Sequence, residues 1–346
     1  MPQARQAYDP RAYWTQLHRE GTLRSVGQSG LPVELNVWLY RVLERNLRAF
    51  LRQHRLVAPP PRRVFEVGVG TGYWTPFWYH LGAERADGCD LAEEAIARLR
   101  QRFPAATFTV GDIVDEGVVP ADGSYGLVTV FNVLLHIIDE DRFASAAGHV
   151  AAAVRPGGHL LLVEPALLMD ASVRPLKPGA SSMARPLARY REVFEKAGLE
   201  FVTASASTTV ANNPIEHGLP HIGRFVWSWR TAVRLARKGP RRASFVGRVL
   251  SLVNRLVMPS GVAPSGKILL FRRPEAPRDG RPVSGPARLS LRAPRPDPLP
   301  AGLRLLHRVI AVPSRLPLPS GAVRCRRPQA ARGRASRTKP VSTNHP

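Results

Sequence analysis

The chain has 346 residues and a formal net charge of +24, and its 44% hydrophobic and 22% charged residues are ordinary for a globular protein. Its two cysteines, Cys89 and Cys325, exclude a disulfide framework and a cysteine-rich zinc site. No apolar run approaches the roughly 18 residues of a membrane-spanning helix, and the opening residues contain no apolar signal segment, so we expect a cytoplasmic protein.

Residues 1–59 are predicted to form an N-terminal helical cap. Between residues 38 and 56, apolar side chains recur every three or four positions, which is the spacing of an amphipathic helix. Three prolines at 59–61 then end the helix. The cap contains a group of aromatic residues: Tyr8, Tyr13, Trp14, Trp38 and Tyr40. We interpret them as core residues of the cap, and a lid over a ligand site is the alternative interpretation.

From residue 60 to residue 274, short apolar strands alternate with helices. Strands are predicted at 63–67, 86–90, 106–110, 125–131, 158–164, 199–206 and 267–272. Helices are predicted at 71–81, 91–103, 139–154 and 186–197. Nearly continuous apolar strands separated by helices indicate an α/β fold with a doubly wound, mainly parallel sheet that is covered on both faces.

An insertion at about 207–266 separates the last two strands. It contains two amphipathic stretches, around Trp229 and around Val249, and the sequence has no acidic residue from 217 to 274. We interpret it as a basic helical cap that roofs the substrate pocket. Contact with anionic lipid and contact with an acidic substrate are the alternatives.

The last segment, 275–346, is rich in proline and arginine and carries +12 of the net charge. Such a composition cannot bury enough apolar surface to offset the entropy lost on ordering. The segment is predicted to be a disordered tail without a function of its own. The alternative is a basic arm for nucleic acid or an acidic membrane.

A glycine loop follows the first strand. Glycines at 68, 70 and 72 allow a sharp turn and a close approach of the backbone to a ligand, and the helix that follows offers its N-terminal amides. Asp90 ends the next strand, where a carboxylate can accept hydrogen bonds from a ribose diol. Asp112 follows the third strand, where a carboxylate and a backbone amide can recognise an adenine. These residues predict a nucleoside site.

At this point the sequence resembles the class I S-adenosylmethionine-dependent methyltransferases, within them the small-molecule type 11/12/25 methyltransferase-domain group. The resemblance covers about residues 60–205 and the strand near 270. The matching runs are FEVGVGTG at 65–72, GCDLAEEAI at 88–96, VGDI at 110–113, FNVLLHI at 131–137 and RPGGHLLLVEP at 155–165. The sequence departs mildly from the pattern at Glu66, where aspartate is more usual.

The resemblance implies a Rossmann-like sheet of seven strands with the seventh antiparallel, and S-adenosylmethionine as cofactor. It also assigns residues to the parts of that cofactor: Glu66, Gly68, Gly70 and Gly72 to the methionine, Asp90 to the ribose, Leu91, Asp112 and Ile113 to the adenine, and Phe131 and Asn132 to the floor of the crevice.

His136 lies just past the fourth strand, where it is a candidate general base; a structural histidine is the alternative. No metal site is expected, because His217 and His221 have no nearby cysteine or acid to complete one. We therefore predict an enzyme that methylates oxygen or nitrogen of a small-molecule acceptor. A nicotinamide-dependent reductase and a basic nucleic-acid-binding protein are the rival hypotheses. The sequence leaves the oligomeric state open.

Overall fold

The computed structural model describes residues 9–19, 21–168, 170, 172–176, 181–216, 222–256 and 265–275. Everything it describes belongs to one compact unit of the chain, Met1–Val312. The predicted tail lies outside the described residues except at Glu275, and so do Tyr8, His217, His221 and Cys325.

A seven-stranded sheet forms the centre of the described chain. The strands, in chain order, are β1 (Arg63–Val67), β2 (Arg85–Asp90), β3 (Phe108–Val110), β4 (Tyr125–Phe131), β5 (Val154–Glu164), β6 (Ala166–Leu167), β7 (Arg174–Pro175), β8 (Met183–Pro186), β9 (Glu200–Ala206) and β10 (Lys267–Arg272). The order in the large sheet is β3-β2-β1-β4-β5-β10-β9, and β6, β8 and β7 form a small second sheet. β3, β2, β1, β4 and β5 are parallel, whereas β10 is antiparallel to both β5 and β9. The predicted seven-stranded fold with its antiparallel last strand is confirmed.

The helices are, in chain order, α1 (Pro10–His18), α2 (Leu23–Val26), α3 (Val33–Gln53), α4 (Thr75–His80), α5 (Glu93–Arg102), α6 (Glu140–Ala153), α7 (Leu187–Lys196), α8 (Ile222–Ala236) and α9 (Pro240–Leu256). The prediction of a helix from residue 71 is wrong for its first turn. The chain turns there through Gly72, whose φ of +70° is not helical, and α4 begins only where Pro76 occupies its first turn.

Both faces of the sheet are buried beneath helices. On one face, Phe50 and Leu51 of α3 pack against Leu161 of β5 and Ile268 of β10. On the other face, side chains of α6 and α7 pack against the alternate residues of the same strands. This alternation follows from the two-residue period of a strand, and it confirms the doubly wound arrangement.

The predicted insertion folds as two helices that pack on α3 rather than on the sheet. Trp229 of α8 and Val246 of α9 share a buried cluster with Leu35 and Leu39 of α3. At Gly247 the approach is so close that an added Cβ would lie 2.4 Å from the nearest atom of Trp38. Among the helices described, none is long and apolar enough to span a membrane.

Candidate active site

A cavity of about 310 Å³ opens at the carboxyl ends of β1, β2, β3 and β4, which is where doubly wound sheets bind ligands. Most of the site residues that the sequence predicts line this cavity: Gly68, Gly70, Asp90, Leu91, Asp112, Ile113, Phe131, Asn132 and His136. The strands therefore bring together side chains that are as much as 68 positions apart in the sequence. Glu66 and Gly72 do not reach the lining.

Asp90 holds the glycine loop in place. Its Oδ2 accepts a hydrogen bond of 2.8 Å from the backbone N–H of Gly70, and its Oδ1 accepts one of 2.9 Å from the N–H of Ala92. A carboxylate oxygen can accept two such bonds, so each oxygen keeps a position for a ligand hydroxyl. An added Cβ at Gly70 would lie 2.5 Å from Cγ1 of Val26, so only a glycine lets the backbone pass here.

Glu66 and Gly72 shape the loop from below. The Glu66 carboxylate is buried and accepts a hydrogen bond of 3.3 Å from the Thr75 hydroxyl. Burial raises the pKa of Glu66 to about 8, although the Thr75 hydrogen bond opposes this shift. Gly72 packs on α5, where an added Cβ would lie 2.2 Å from Cδ2 of Leu99.

At the end of β3, Asp112 forms an ion pair that the sequence analysis missed. Its Oδ2 lies 2.8 Å from Nη2 of Arg142, and its Oδ1 accepts a hydrogen bond from the N–H of Val114. Arg142 lies in the first turn of α6, whose N-cap is Asp139. Both members of the pair line the cavity. The sequence indicates where α6 begins, but nothing in it indicates that an arginine of the first turn reaches the cavity.

His136 lies in one turn of 3-10 helix, Leu134–His136. Its Nδ1 is 2.9 Å from the carbonyl oxygen of Ser181. Because a carbonyl only accepts, Nδ1 carries the hydrogen, and in the neutral ring Nε2 is left as an acceptor. Burial lowers the pKa of His136, so the ring is neutral at pH 7. The Trp14 ring meets it edge to face, with the centroids 4.7 Å apart.

Two buried ionisable side chains hold the backbone around His136. The Glu164 carboxylate accepts hydrogen bonds of 2.9, 3.0 and 3.2 Å from the N–H groups of Val133, Leu134 and Leu135. The guanidinium of the fully buried Arg185 donates to the carbonyls of Leu134 and Ile137.

Each of these two side chains is itself held in place. Arg185 Nε lies 2.8 Å from Oε1 of Glu140, and its guanidinium lies 4.0 Å from the centre of the Phe143 ring. Burial raises the pKa of Glu164 to about 8, while the three amides act in the opposite direction. We call Glu164 and Arg185 the loop clamp, because they bind the same five-residue turn, 133–137, from its amide side and its carbonyl side.

The N-terminal helices close the other side of the cavity, which is lined by Pro10, Trp14, His18, Val26 and Tyr40. The lid interpretation therefore holds for Trp14 and Tyr40. The core interpretation holds for Trp38, which packs against α9. His18 is buried, burial lowers its pKa, and its Nδ1 has no hydrogen-bond partner among the described residues.

The prediction that the insertion roofs the pocket is wrong for its two helices. No residue of α8 or α9 lines the cavity, because both helices lie against the outer side of α3. In the part of the chain that is described, no group of three or more histidine, cysteine, aspartate or glutamate side chains is placed to hold a metal ion.

A family model described as a methyltransferase domain matches residues 64–158. The matched residues run from β1 into β5 and include every cavity residue that the sequence predicted. Residues 64–158 therefore match a methyltransferase domain, in agreement with the sequence motifs, which resemble its class I, S-adenosylmethionine-dependent type.

Solved structures show a distant likeness to the chain. Magnesium protoporphyrin IX methyltransferase of Synechocystis PCC 6803 is 15% identical, with a TM-score of 0.46 over 78% of this chain and 100% of that one. An N-methyltransferase of Bradyrhizobium japonicum WM9 is 16% identical (TM-score 0.40, 67% and 88%), and the cyclase SpnF is 17% identical (TM-score 0.41, 74% and 97%). Likenesses this distant carry no argument about the reaction. No curated protein matches the sequence.

Proposed function

We propose that this chain binds S-adenosylmethionine and catalyses methyl transfer to an oxygen or nitrogen atom of a small-molecule acceptor. One observation carries the proposal: a single cavity is lined both by the glycine loop with its Asp90 clasp and by His136, whose Nδ1 is fixed and whose Nε2 is left as an acceptor. The predicted nucleoside site and the candidate base thus line one cavity.

The residues present suit this cofactor. The backbone of Gly68 and Gly70 lines the cavity where the methionine part would lie, and the open acceptor positions of Asp90 suit the ribose hydroxyls. Leu91 and Ile113 supply apolar contact for the adenine, with Asp112 for its polar edge. When bound, S-adenosylmethionine supplies a methyl group on a positively charged sulfur, which is already activated for transfer.

The chain itself supplies alignment, exclusion of water and a proton acceptor. Nε2 of His136 accepts the proton of a hydroxyl or protonated amine acceptor, and the Ser181 carbonyl stabilises the resulting imidazolium at Nδ1. The aromatic lining suits an acceptor with an apolar body; its rings include Trp14, Tyr40, Tyr73, Trp74 and Phe131. A cytoplasmic location stays a prediction.

The first experiment is calorimetric titration of the full chain with S-adenosylmethionine and S-adenosylhomocysteine. We expect micromolar binding that weakens at least about tenfold in Asp90→Ala, because the lost bonds to the ribose are charge-assisted. Asp115→Ala removes an exposed carboxylate in the loop after β3 and serves as the matched control with unchanged affinity. Absence of binding by the folded protein would overturn the proposal.

Two further ligands separate the rival hypotheses. Binding of NADH with none of S-adenosylmethionine would favour the reductase. Binding of nucleic acid that falls steeply with salt, again without S-adenosylmethionine binding, would favour the nucleic-acid-binding protein.

The candidate base is tested by the pH profile of kcat/KM, whose acidic limb we expect below pH 6.5 because burial lowers the pKa of His136. That limb should be absent in His136→Gln.

A further inference from the structure

One face of α9 exposes a continuous apolar stripe. Its members follow one another at intervals of four, three and four residues and are Phe245, Val249, Leu252 and Leu256. This spacing puts them on a single side of the helix. Phe245 is 62% exposed and Leu252 is 58% exposed, fractions that are unusual for side chains of this size.

The opposite face of α9 is already occupied. Ala243, Val246 and Gly247 are buried, and they pack against α3. The helix is therefore anchored through one apolar face and presents a second one outward. α8 adds the most exposed large apolar residue of the described chain, Trp227, at 70%.

The surroundings of the stripe are uniformly basic. Between residues 222 and 256 there is no acidic residue, and nine basic residues are all exposed: Arg224, Arg230, Arg234, Arg237, Lys238, Arg241, Arg242, Arg248 and Arg255. No described carboxylate forms an ion pair with any of them. Their charge is therefore left for an external partner.

We propose that α8 and α9, which we call the basic hairpin, dock on an anionic lipid surface. The stripe enters the boundary between headgroups and acyl chains, while the arginines stay among the negatively charged headgroups. Each basic residue close to such a surface multiplies the binding constant by about five. The hairpin lies in the plane of the surface and does not cross it.

A lipid surface accounts for both features of the hairpin. The phosphate backbone of a nucleic acid satisfies the arginines, but it offers no apolar environment for Phe245, Val249 and Leu252. A second copy of this hairpin could cover the stripe, but only by bringing two sets of like charges together. The apolar stripe and the positive charge together therefore indicate a lipid surface. Either feature alone would not distinguish lipid from the other two partners.

The test is sedimentation of the full chain with vesicles. One set contains equal parts of phosphatidylcholine and phosphatidylglycerol, and the other contains phosphatidylcholine alone. We expect binding to the anionic vesicles, and at least about tenfold weaker binding for the double variant Phe245→Ser/Leu252→Ser, because membrane binding scales with the apolar area buried. Val202→Ser is the matched control, since Val202 is 43% exposed on β9, away from the hairpin.

A second double variant tests the contribution of the hairpin's charge to vesicle binding separately from the contributions of the apolar stripe and of the basic tail. Arg241→Glu/Arg248→Glu reverses two charges of the hairpin and leaves residues 275–346 unchanged; it should weaken binding more at low salt than at high salt. The proposal is overturned if both double variants bind anionic vesicles like the unmodified chain. It is also overturned if the unmodified chain does not bind the anionic vesicles, whether or not the serine variant abolishes a dimer.

Discussion

Replacement of Arg185 by lysine tests whether the loop clamp positions His136. A lysine keeps the positive charge but has a single nitrogen, which cannot replace both the bonds to the carbonyls of Leu134 and Ile137 and the ion pair with Glu140. At least one buried carbonyl then loses its donor, which costs about 1–3 kcal/mol. With part of the packing on Phe143 also lost, we expect the free energy of unfolding to fall by about 2–4 kcal/mol.

The effect on catalysis should be distinct from the effect on stability. A loosened turn displaces Nε2, and a displacement of about 1 Å can lower kcat roughly 100-fold. Binding of S-adenosylmethionine should change little, because Asp90 ends β2 and the glycine loop follows β1, away from this turn. Water that enters the loosened turn should raise the pKa of His136 toward its ordinary value and shift the acidic limb of the pH profile upward.

Arg189→Lys is the matched control for this experiment. Arg189 also binds Glu140, at 3.0 Å, but it makes no hydrogen bond to the turn that carries His136. Denaturant unfolding, steady-state kinetics and the pH profile are measured for both variants. Equal kcat values and equal pH profiles in Arg185→Lys and Arg189→Lys would refute the positioning role, even if stability differed.

Three other perturbations have expected outcomes. Gly72→Ala should lower the free energy of unfolding by about 1–3 kcal/mol, because the added Cβ would overlap Leu99 and the backbone has a positive φ. The control is Gly148→Ala, within α6 and with open space around it, which should raise the free energy of unfolding by about 1 kcal/mol. Thermal unfolding measures both changes. In Glu66→Gln, the decline of stability between about pH 5 and pH 8 should become shallower, because a carboxyl whose folded pKa is raised to about 8 binds more protons folded than unfolded. Part of the decline remains, because the pKa of Glu164 is also raised to about 8; a slope equal to that of the unmodified chain in urea titrations contradicts the prediction. Trp14→Ala should raise KM for the acceptor with little change in unfolding, because Trp14 is only partly buried against His136.

The fold could be predicted because its signals are local. Apolar strands, glycines after β1 and a carboxylate after β2 each occupy a few consecutive residues, and the parallel order then brings Gly70 to Asp90. The error at the start of α4 is also local. In a glycine-rich turn followed by Pro76, the sequence allows the helix to begin at more than one residue. The backbone conformation at Gly72 shows that it begins after that residue.

The contacts that sequence reasoning missed all join residues that are far apart in the chain. Arg185 binds a turn about 50 positions earlier in the chain, and Arg142 binds Asp112, 30 positions away. Trp14 meets His136 across the cavity. No short sequence motif predicts such a contact for an arginine or a tryptophan, because the partner is determined by the packing of the whole domain. The sequence could therefore predict residues that line the cavity but not what holds the candidate base.

One helix connects the two surfaces to which we assign functions. Tyr40 of α3 lines the cavity and donates a hydrogen bond of 3.0 Å to the carbonyl of Val26. Trp38, two residues earlier, contacts Gly247 of the basic hairpin. Because side chains two positions apart on a helix point in different directions, α3 has the cavity on one side and the hairpin on another. A lipid surface that holds the hairpin thus lies across α3 from the aromatic lining of the cavity.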